Sequence, residues 1–153
     1  MNKLKIGILA IGLLASIKLG LAEYGLVSMS QPKSEDIACL AKNIYMEARG
    51  EPIEGQIAVA QVTLNRLNNG NFGSSICKVV YARKQFSWTL NSSRKVKNNK
   101  EWQGSIAIAT AVLKGSVHLP NFNALYFHTR QIKPYWARTR TQVGIISNHI
   151  FYS

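Results

Sequence analysis

The chain has 153 residues and carries 19 Lys and Arg side chains against 7 Asp and Glu. This length is enough for one domain with its own core, and a composition of 46% apolar and 17% charged residues excludes an intrinsically disordered chain. The short supply of acids also argues against chemistry that needs several carboxylates, such as an oxygen-ligated metal cage.

Residues 1–22 have the pattern of an export signal. Lys3 and Lys5 precede an apolar run at 6–17, and small residues follow at 20–22. The run is short for a membrane span of about 20 residues, so we expect a signal peptide, with an uncleaved signal-anchor as the alternative. The chain is therefore expected to be exported to the periplasm, the cell wall or the exterior. Removing 1–22 leaves 16 basic and 7 acidic side chains, so the basic character belongs to the folded part.

The two cysteines, Cys39 and Cys77, are predicted to form a disulfide because the expected compartment is oxidising. The alternative is a cysteine nucleophile with a histidine partner. Cys39 lies in the apolar stretch 37–41, where a thiolate would be poorly solvated, and this favours the disulfide.

A polar lead-in at 23–33 is followed by a predicted domain at 34–153. The first helix should begin at Ser34, with acids in its first turn, and end near Arg49 before Gly50. A second helix should follow at once, with Glu51 as its cap and Pro52 at its first position, and should end at 68–71.

Residues 72–100 are predicted to form loops and short helices, including a basic loop with Arg94, Lys95, Lys97 and Lys100. A third helix at about 101–114 is apolar around most of its circumference and is expected to be central. Short strands are predicted at 124–128, 144–146 and 150–152. The fold class is therefore mainly helical α+β, with a small antiparallel sheet near the carboxyl end.

Local structure accounts for the positions of six of the seven acids, and Glu47 is the exception. Four acids fall at helix starts, where the helix dipole favours them, Glu23 is near the cleavage site, and Glu51 has the cap role. Glu47 lies in the last turn of the first helix, where the dipole opposes negative charge, among apolar and aromatic neighbours. Such surroundings favour a protonated carboxyl, as a general acid requires. The alternative is a surface acid paired with Arg49 or another arginine.

Several motifs together carry a family resemblance that runs from about 36 to 152. They are Tyr45-Met46-Glu47-Ala48-Arg49-Gly50-Glu51-Pro52, Glu54-Gly55-Gln56-Ile57-Ala58-Val59-Ala60, Leu64-Asn65-Arg66, Gln85-Phe86-Ser87-Trp88, Ala124-Leu125-Tyr126-Phe127-His128, Gly144, and Asn148-His149-Ile150-Phe151-Tyr152. This set resembles the cell wall hydrolase family that includes the catalytic domain of the spore cortex-lytic enzyme SleB.

The resemblance implies a lysozyme-like domain that cleaves the glycan strand of peptidoglycan between N-acetylmuramic acid and N-acetylglucosamine, with Glu47 as the catalytic acid and base. No metal or other cofactor is expected. Because no second well-supported carboxylate is available, a lytic transglycosylase route is favoured over a hydrolytic muramidase. Only the signal and lead-in precede the catalytic segment, so we expect a stand-alone exported monomer, of cellular or phage origin, rather than an enzyme restricted to spore cortex.

Other residues of the motifs are candidates for contacts with sugar hydroxyl and N-acetyl groups. The predicted substrate-binding set is Glu51, Gln85, Ser87, Trp88, Tyr126 and His128. Phe86, Trp88 and Trp136 have flat faces that suit sugar rings, although core packing is an equal alternative for Phe86 and Phe127.

Two other functions fit parts of the sequence. A zinc amidase or peptidase would have to use His128, His149 and Glu47 as ligands, but no HExxH pattern occurs. A non-catalytic cationic module would bind anionic wall polymers or a membrane surface, and no nucleic-acid motif is present. Its candidate contacts are Arg83, Lys84, Arg94, Lys95, Lys97, Arg138 and Arg140.

Overall fold

The structure is a computed structural model, and it describes residues 31–83, 85–90, 95–97 and 99–153. The predicted signal, most of the lead-in, Lys84 and Arg94 lie outside this part of the chain. Within it, no helix has the length and apolar character needed to cross a membrane.

In the described part of the chain, four α-helices form the larger part of the fold. They are α1 (Ser34–Ala48), α2 (Ile53–Asn69), α3 (Ile76–Tyr81) and α4 (Lys100–Leu113). Two short 3₁₀ helices cover Ser87–Leu90 and Tyr135–Thr139. The three helices predicted from periodicity are confirmed, with ends shifted by one or two residues. Ser34 was predicted as the N-cap of the first helix, but it is the first helical residue, and the N-cap is Lys33, which makes no side-chain cap hydrogen bond.

The helical core is centred on α1, which packs against α2, α3 and α4. Leu40, Ala41 and Ile44 of α1 are completely buried. The expectation that α4 is central is wrong, because Gln103, Gly104 and Ala107 are exposed along one side of α4. Alanine and glycine make α4 look uniformly apolar, but such small side chains lose little when they face water.

Three antiparallel strands form the sheet in the order β1-β3-β2, where β1 is Tyr126–Thr129, β2 is Gln142–Ile146 and β3 is His149–Tyr152. In the central strand, Phe151 pairs with Phe127 of β1 and is completely buried against α2. The predicted α+β class with a small antiparallel sheet near the carboxyl end is confirmed.

A disulfide joins Cys39 of α1 to Cys77 of α3, with the two Cα atoms 5.3 Å apart. The predicted pairing is therefore confirmed, and neither cysteine is free to act as a nucleophile.

Polar side chains of α2 fix the segment that leads into β1. The Asn65 side-chain amide donates to the carbonyls of Phe122 and Ala124, each at 2.9 Å. Gln61 both donates to and accepts from the backbone of Leu119. These hydrogen bonds satisfy the backbone of a loop without regular structure and hold β1 against the helical layer.

Candidate active site

Glu47, in the last turn of α1, lines a cleft of about 690 Å³ between the helices and β1. Of the seven acids in the sequence, Glu47 is the one found among the described residues of the cleft wall. Most of the other lining side chains are aromatic, basic or able to form hydrogen bonds, and two are aliphatic. The wall consists of Arg66, Gln85, Ser87, Tyr126, Phe127, His128, Thr129, Ile132, Pro134, Trp136, Arg140 and His149.

Arg66, on α2, is the buried cation next to Glu47. Only 5% of its surface is exposed, and its Nε donates to the carbonyl of Leu125 at 2.7 Å. Desolvation by burial lowers the pKa of Arg66 to about 10, while attraction to Tyr126 and Glu47 acts in the opposite direction. The guanidinium therefore stays charged at neutral pH and provides a fixed positive field beside Glu47.

Tyr126 of β1 is held by two guanidinium groups. The central carbon of the Arg140 guanidinium lies 3.4 Å from the centroid of the Tyr126 ring, and that of Arg66 lies 5.9 Å away. Trp136 packs against the same tyrosine, with ring centroids 5.8 Å apart. Cation–π attraction of this kind holds the ring in one orientation, so this side of the cleft has a preformed wall.

His128 is fixed through both ring nitrogens. Its Nδ1 lies 2.8 Å from the carbonyl of Thr129 and its Nε2 lies 3.0 Å from the hydroxyl of Tyr152. The carbonyl can only accept, so Nδ1 donates to it and Nε2 accepts from the tyrosine. In the described part of the chain, no three His, Cys, Asp or Glu residues are grouped so that they could hold a metal ion. The donor set expected for a zinc enzyme is not assembled there.

Glu51 lies outside the cleft wall and makes contacts different from those predicted. The N-cap of α2 is Pro52, and the helix begins at Ile53. The Glu51 carboxylate instead accepts hydrogen bonds from the backbone N–H and the side-chain amide of Asn148. The predicted cap role is therefore wrong, because the side chain reaches across to the turn between β2 and β3.

Glu51 and His149 influence each other's charge. Desolvation raises the pKa of Glu51, but hydrogen bonds from Ser147 and Asn148 and the charge of His149 lower it, and the net shift is downward. Burial lowers the pKa of His149; attraction to Glu51 opposes this shift, and repulsion from His128 adds to it. His149 lines the cleft, so the charge of Glu51 acts on a ring of the cleft wall.

Trp88 is part of the core and not of the cleft, which corrects its predicted contact with sugar. It is 3% exposed and stacks on Phe86 at 6.3 Å, and both belong to the helical core. Phe86 therefore follows the core alternative, whereas Phe127 packs on the core and also reaches the cleft wall. Trp136 is the tryptophan that lines the cleft.

The structure brings together Glu47, Gln85, Ser87, Tyr126 and His128 as the sequence predicted. It adds Arg66, which belongs to the Leu64-Asn65-Arg66 motif but was not predicted to have a role in the site. It also adds Arg140, which was predicted only as a surface charge. The signal for Arg66 is its helical spacing from Val59 and Val62, which puts a charged side chain on the inward face of α2.

The fold of the described residues, with four α-helices and a small antiparallel sheet, is similar to that of the SleB catalytic domains. The catalytic domain of the Bacillus cereus SleB protein matches with a TM-score of 0.64 and 30% identity, covering 79% of this chain and 91% of that one. The catalytic domain of the germination-specific lytic transglycosylase SleB from Bacillus anthracis gives a TM-score of 0.65 and 29% identity, covering 80% and 97%.

The chain belongs to the cell wall hydrolase family, whose model matches residues 50–152. It is similar to the spore cortex-lytic enzymes of Oceanobacillus iheyensis (36% identical over 117 residues) and Bacillus subtilis (34% over 119 residues). These alignments cover 76% and 77% of this chain but 41% and 37% of the relatives. The family match begins three residues after Glu47, so it does not itself include that residue.

Proposed function

We propose that this protein cleaves the glycan strands of peptidoglycan, with Glu47 as the general acid and base. The observation that carries the proposal is the position of Glu47 as the one acid among the described residues of a cleft with aromatic and hydrogen-bonding walls. Family membership and the structural likeness to a lytic transglycosylase domain support the same reaction class. Export is part of the proposal, since this polymer lies outside the cytoplasmic membrane.

In the first step, Glu47 donates its proton to the glycosidic oxygen between N-acetylmuramic acid and N-acetylglucosamine. The bond from C1 to that oxygen breaks, and positive charge develops on the muramic ring. Trp136 provides the aromatic surface for the sugar rings, and Gln85, Ser87 and Tyr126 provide hydrogen bonds to hydroxyl and N-acetyl groups.

In the second step, the Glu47 carboxylate accepts a proton from the 6-hydroxyl of the same muramic acid. The oxygen attacks C1, and a 1,6-anhydro ring closes. This intramolecular route needs one carboxyl, whereas inverting and most retaining glycosidases use a second one. The absence of a second acid from the described cleft wall therefore favours transglycosylation over hydrolysis.

The test is the Glu47→Gln variant on purified cell walls, with release of soluble glycan fragments as the measurement. We expect a loss of about a hundredfold or more, the size typical of removing a general acid and base. Glu54→Gln, which changes an exposed acid in the first turn of α2, is the matched control. Full cleavage by a folded Glu47→Gln protein would refute the assignment.

The released fragments distinguish the two routes. Muramic ends in the anhydro form are lighter by one water than hydrolysed ends, so mass spectrometry of the fragments assigns the reaction. Cleavage that stops when a chelator is added would instead favour the zinc alternative. Wall binding without cleavage would favour the non-catalytic module.

A further inference from the structure

A second pocket, here called the basic pocket, lies on the neighbouring face of the last turn of α1. It has a volume of about 720 Å³ and is lined by Tyr45, Met46, Arg49, Gly50, Lys95, Lys97, Asn99 and Glu101. Met46 lines the basic pocket while Glu47, the next residue, lines the cleft. The basic pocket and the cleft are therefore lined by adjacent residues of α1.

The floor of the basic pocket is rigid. Tyr45 is 2% exposed, and its ring meets that of Trp102 edge to face at 6.0 Å. The backbone N–H of Lys97 donates to the Tyr45 hydroxyl at 3.4 Å, which ties the segment bearing the lysines to α1. The Arg49 guanidinium lies 5.0 Å from the same ring. The Arg49 guanidinium and the backbone of Lys97 are therefore both held next to the buried Tyr45 side chain.

The charge of the basic pocket suits an anionic ligand. Its described lining has three basic side chains, Arg49, Lys95 and Lys97, and one acid, Glu101. Both lysines are exposed, so their ammonium groups are available to a ligand from solvent. Arginine and lysine at such positions recognise carboxylates by charge-assisted hydrogen bonds.

We propose that the basic pocket binds the peptide stem of peptidoglycan through its carboxylates. This inference rests on the proposed function, because muramic acid carries the stem on its lactyl group, beside the bond that Glu47 would cleave. The cleft and the basic pocket share the last turn of α1, where Glu47 lines one and Met46 lines the other, so we take the stem of a sugar bound in the cleft to extend into the basic pocket. With the basic pocket occupied in this way, the enzyme would prefer glycan strands that carry peptide stems over strands without them.

The experiment compares kcat/KM for two substrates, glycan strands with stems and the same strands stripped of stems by an amidase. For the wild-type protein, we expect the higher value on stem-bearing strands. In the double variant Lys95→Gln/Lys97→Gln, the ratio of the two values should fall about threefold to tenfold, as for the loss of two exposed ion pairs. Lys33→Gln/Lys114→Gln removes the same charge at exposed positions outside the pocket and should keep the wild-type ratio.

The outcomes separate this inference from the proposed function. Equal wild-type values on both substrates, or the same ratio in the pocket variant and the wild type, would overturn the stem assignment while glycan cleavage stands. Failure to cleave either substrate would overturn the proposed function, and the stem assignment with it. Competition by poly(glycerol phosphate) but not by a free stem tripeptide would assign the pocket to a wall phosphate and overturn the stem assignment.

Discussion

The carboxylate of Glu51 accepts two hydrogen bonds from Asn148, one from the backbone N–H and one from the side-chain amide, each at 3.2 Å. These residues are 97 positions apart in the sequence. The contact closes the turn between β2 and β3, in which Ser147 has a φ of 50°. Because His149 follows directly and lines the cleft, the contact links the junction of α1 and α2 to the cleft wall.

Replacing Glu51 with glutamine should lower the free energy of unfolding by about 0.5 to 1 kcal/mol at pH 7. This range is that of hydrogen bonds to a charged group, reduced for exposure to solvent. Asn148→Ala and the double variant Glu51→Gln/Asn148→Ala complete a mutant cycle that isolates the contact, and chemical denaturation of all three variants is the measurement. If Glu51→Gln has the same free energy of unfolding as the wild type, the two hydrogen bonds make no net contribution to stability.

The same contact should depend on pH. The folded-state pKa of Glu51 lies below its ordinary value of 4.5, so the stabilisation is complete above that value and is lost as the pH falls through the folded-state pKa. The difference in stability between wild type and Glu51→Gln should therefore be smaller at pH 3 than at pH 7. A difference that grows on acidification would contradict this sign.

Removing the Cys39–Cys77 disulfide should cost about 4 kcal/mol, the value that chain entropy gives for the 38-residue separation. Thermal unfolding of the wild type with and without reductant, and of the Cys39→Ala/Cys77→Ala variant, measures this cost. The variant should be insensitive to reductant. Equal stability of the oxidised and reduced wild type would argue against the disulfide as a major constraint.

Trp88 and Trp136 should respond in opposite ways to substitution. Trp88→Ala should lower the free energy of unfolding by about 3 kcal/mol or more, because a large buried side chain leaves a cavity in the core. Trp136→Ala should cost only about 1 kcal/mol, the size of an aromatic contact, but should lower glycan cleavage about tenfold.

The comparison uses unfolding free energies and kcat/KM for both proteins. Trp88→Phe is the milder control, because it keeps an aromatic ring in the core and removes an indole N–H that has no hydrogen-bond partner among the described residues. Normal cleavage by Trp136→Ala would remove Trp136 from the proposed sugar-binding wall.

The helices, the mixed fold class and the disulfide could be predicted from the sequence, while the catalytic role of Glu47 stays a prediction. Apolar periodicity and the glycines that follow α1 and α2 predict the helices, and a helix-end acid that the dipole disfavours can be recognised without coordinates. The disulfide followed from the expected compartment and from there being two cysteines.

Which side chains share a surface depends on the tertiary packing. Glu51 was predicted as a helix cap, but its carboxylate accepts hydrogen bonds from Asn148 in the turn between β2 and β3. Trp88 was predicted to contact sugar, but it is buried in the core. Arg66 and Arg140 come from α2 and from the segment before β2, and they meet at Tyr126. Such contacts depend on how α2 packs against the sheet. Local sequence patterns do not predict the distance between residues that are far apart along the chain.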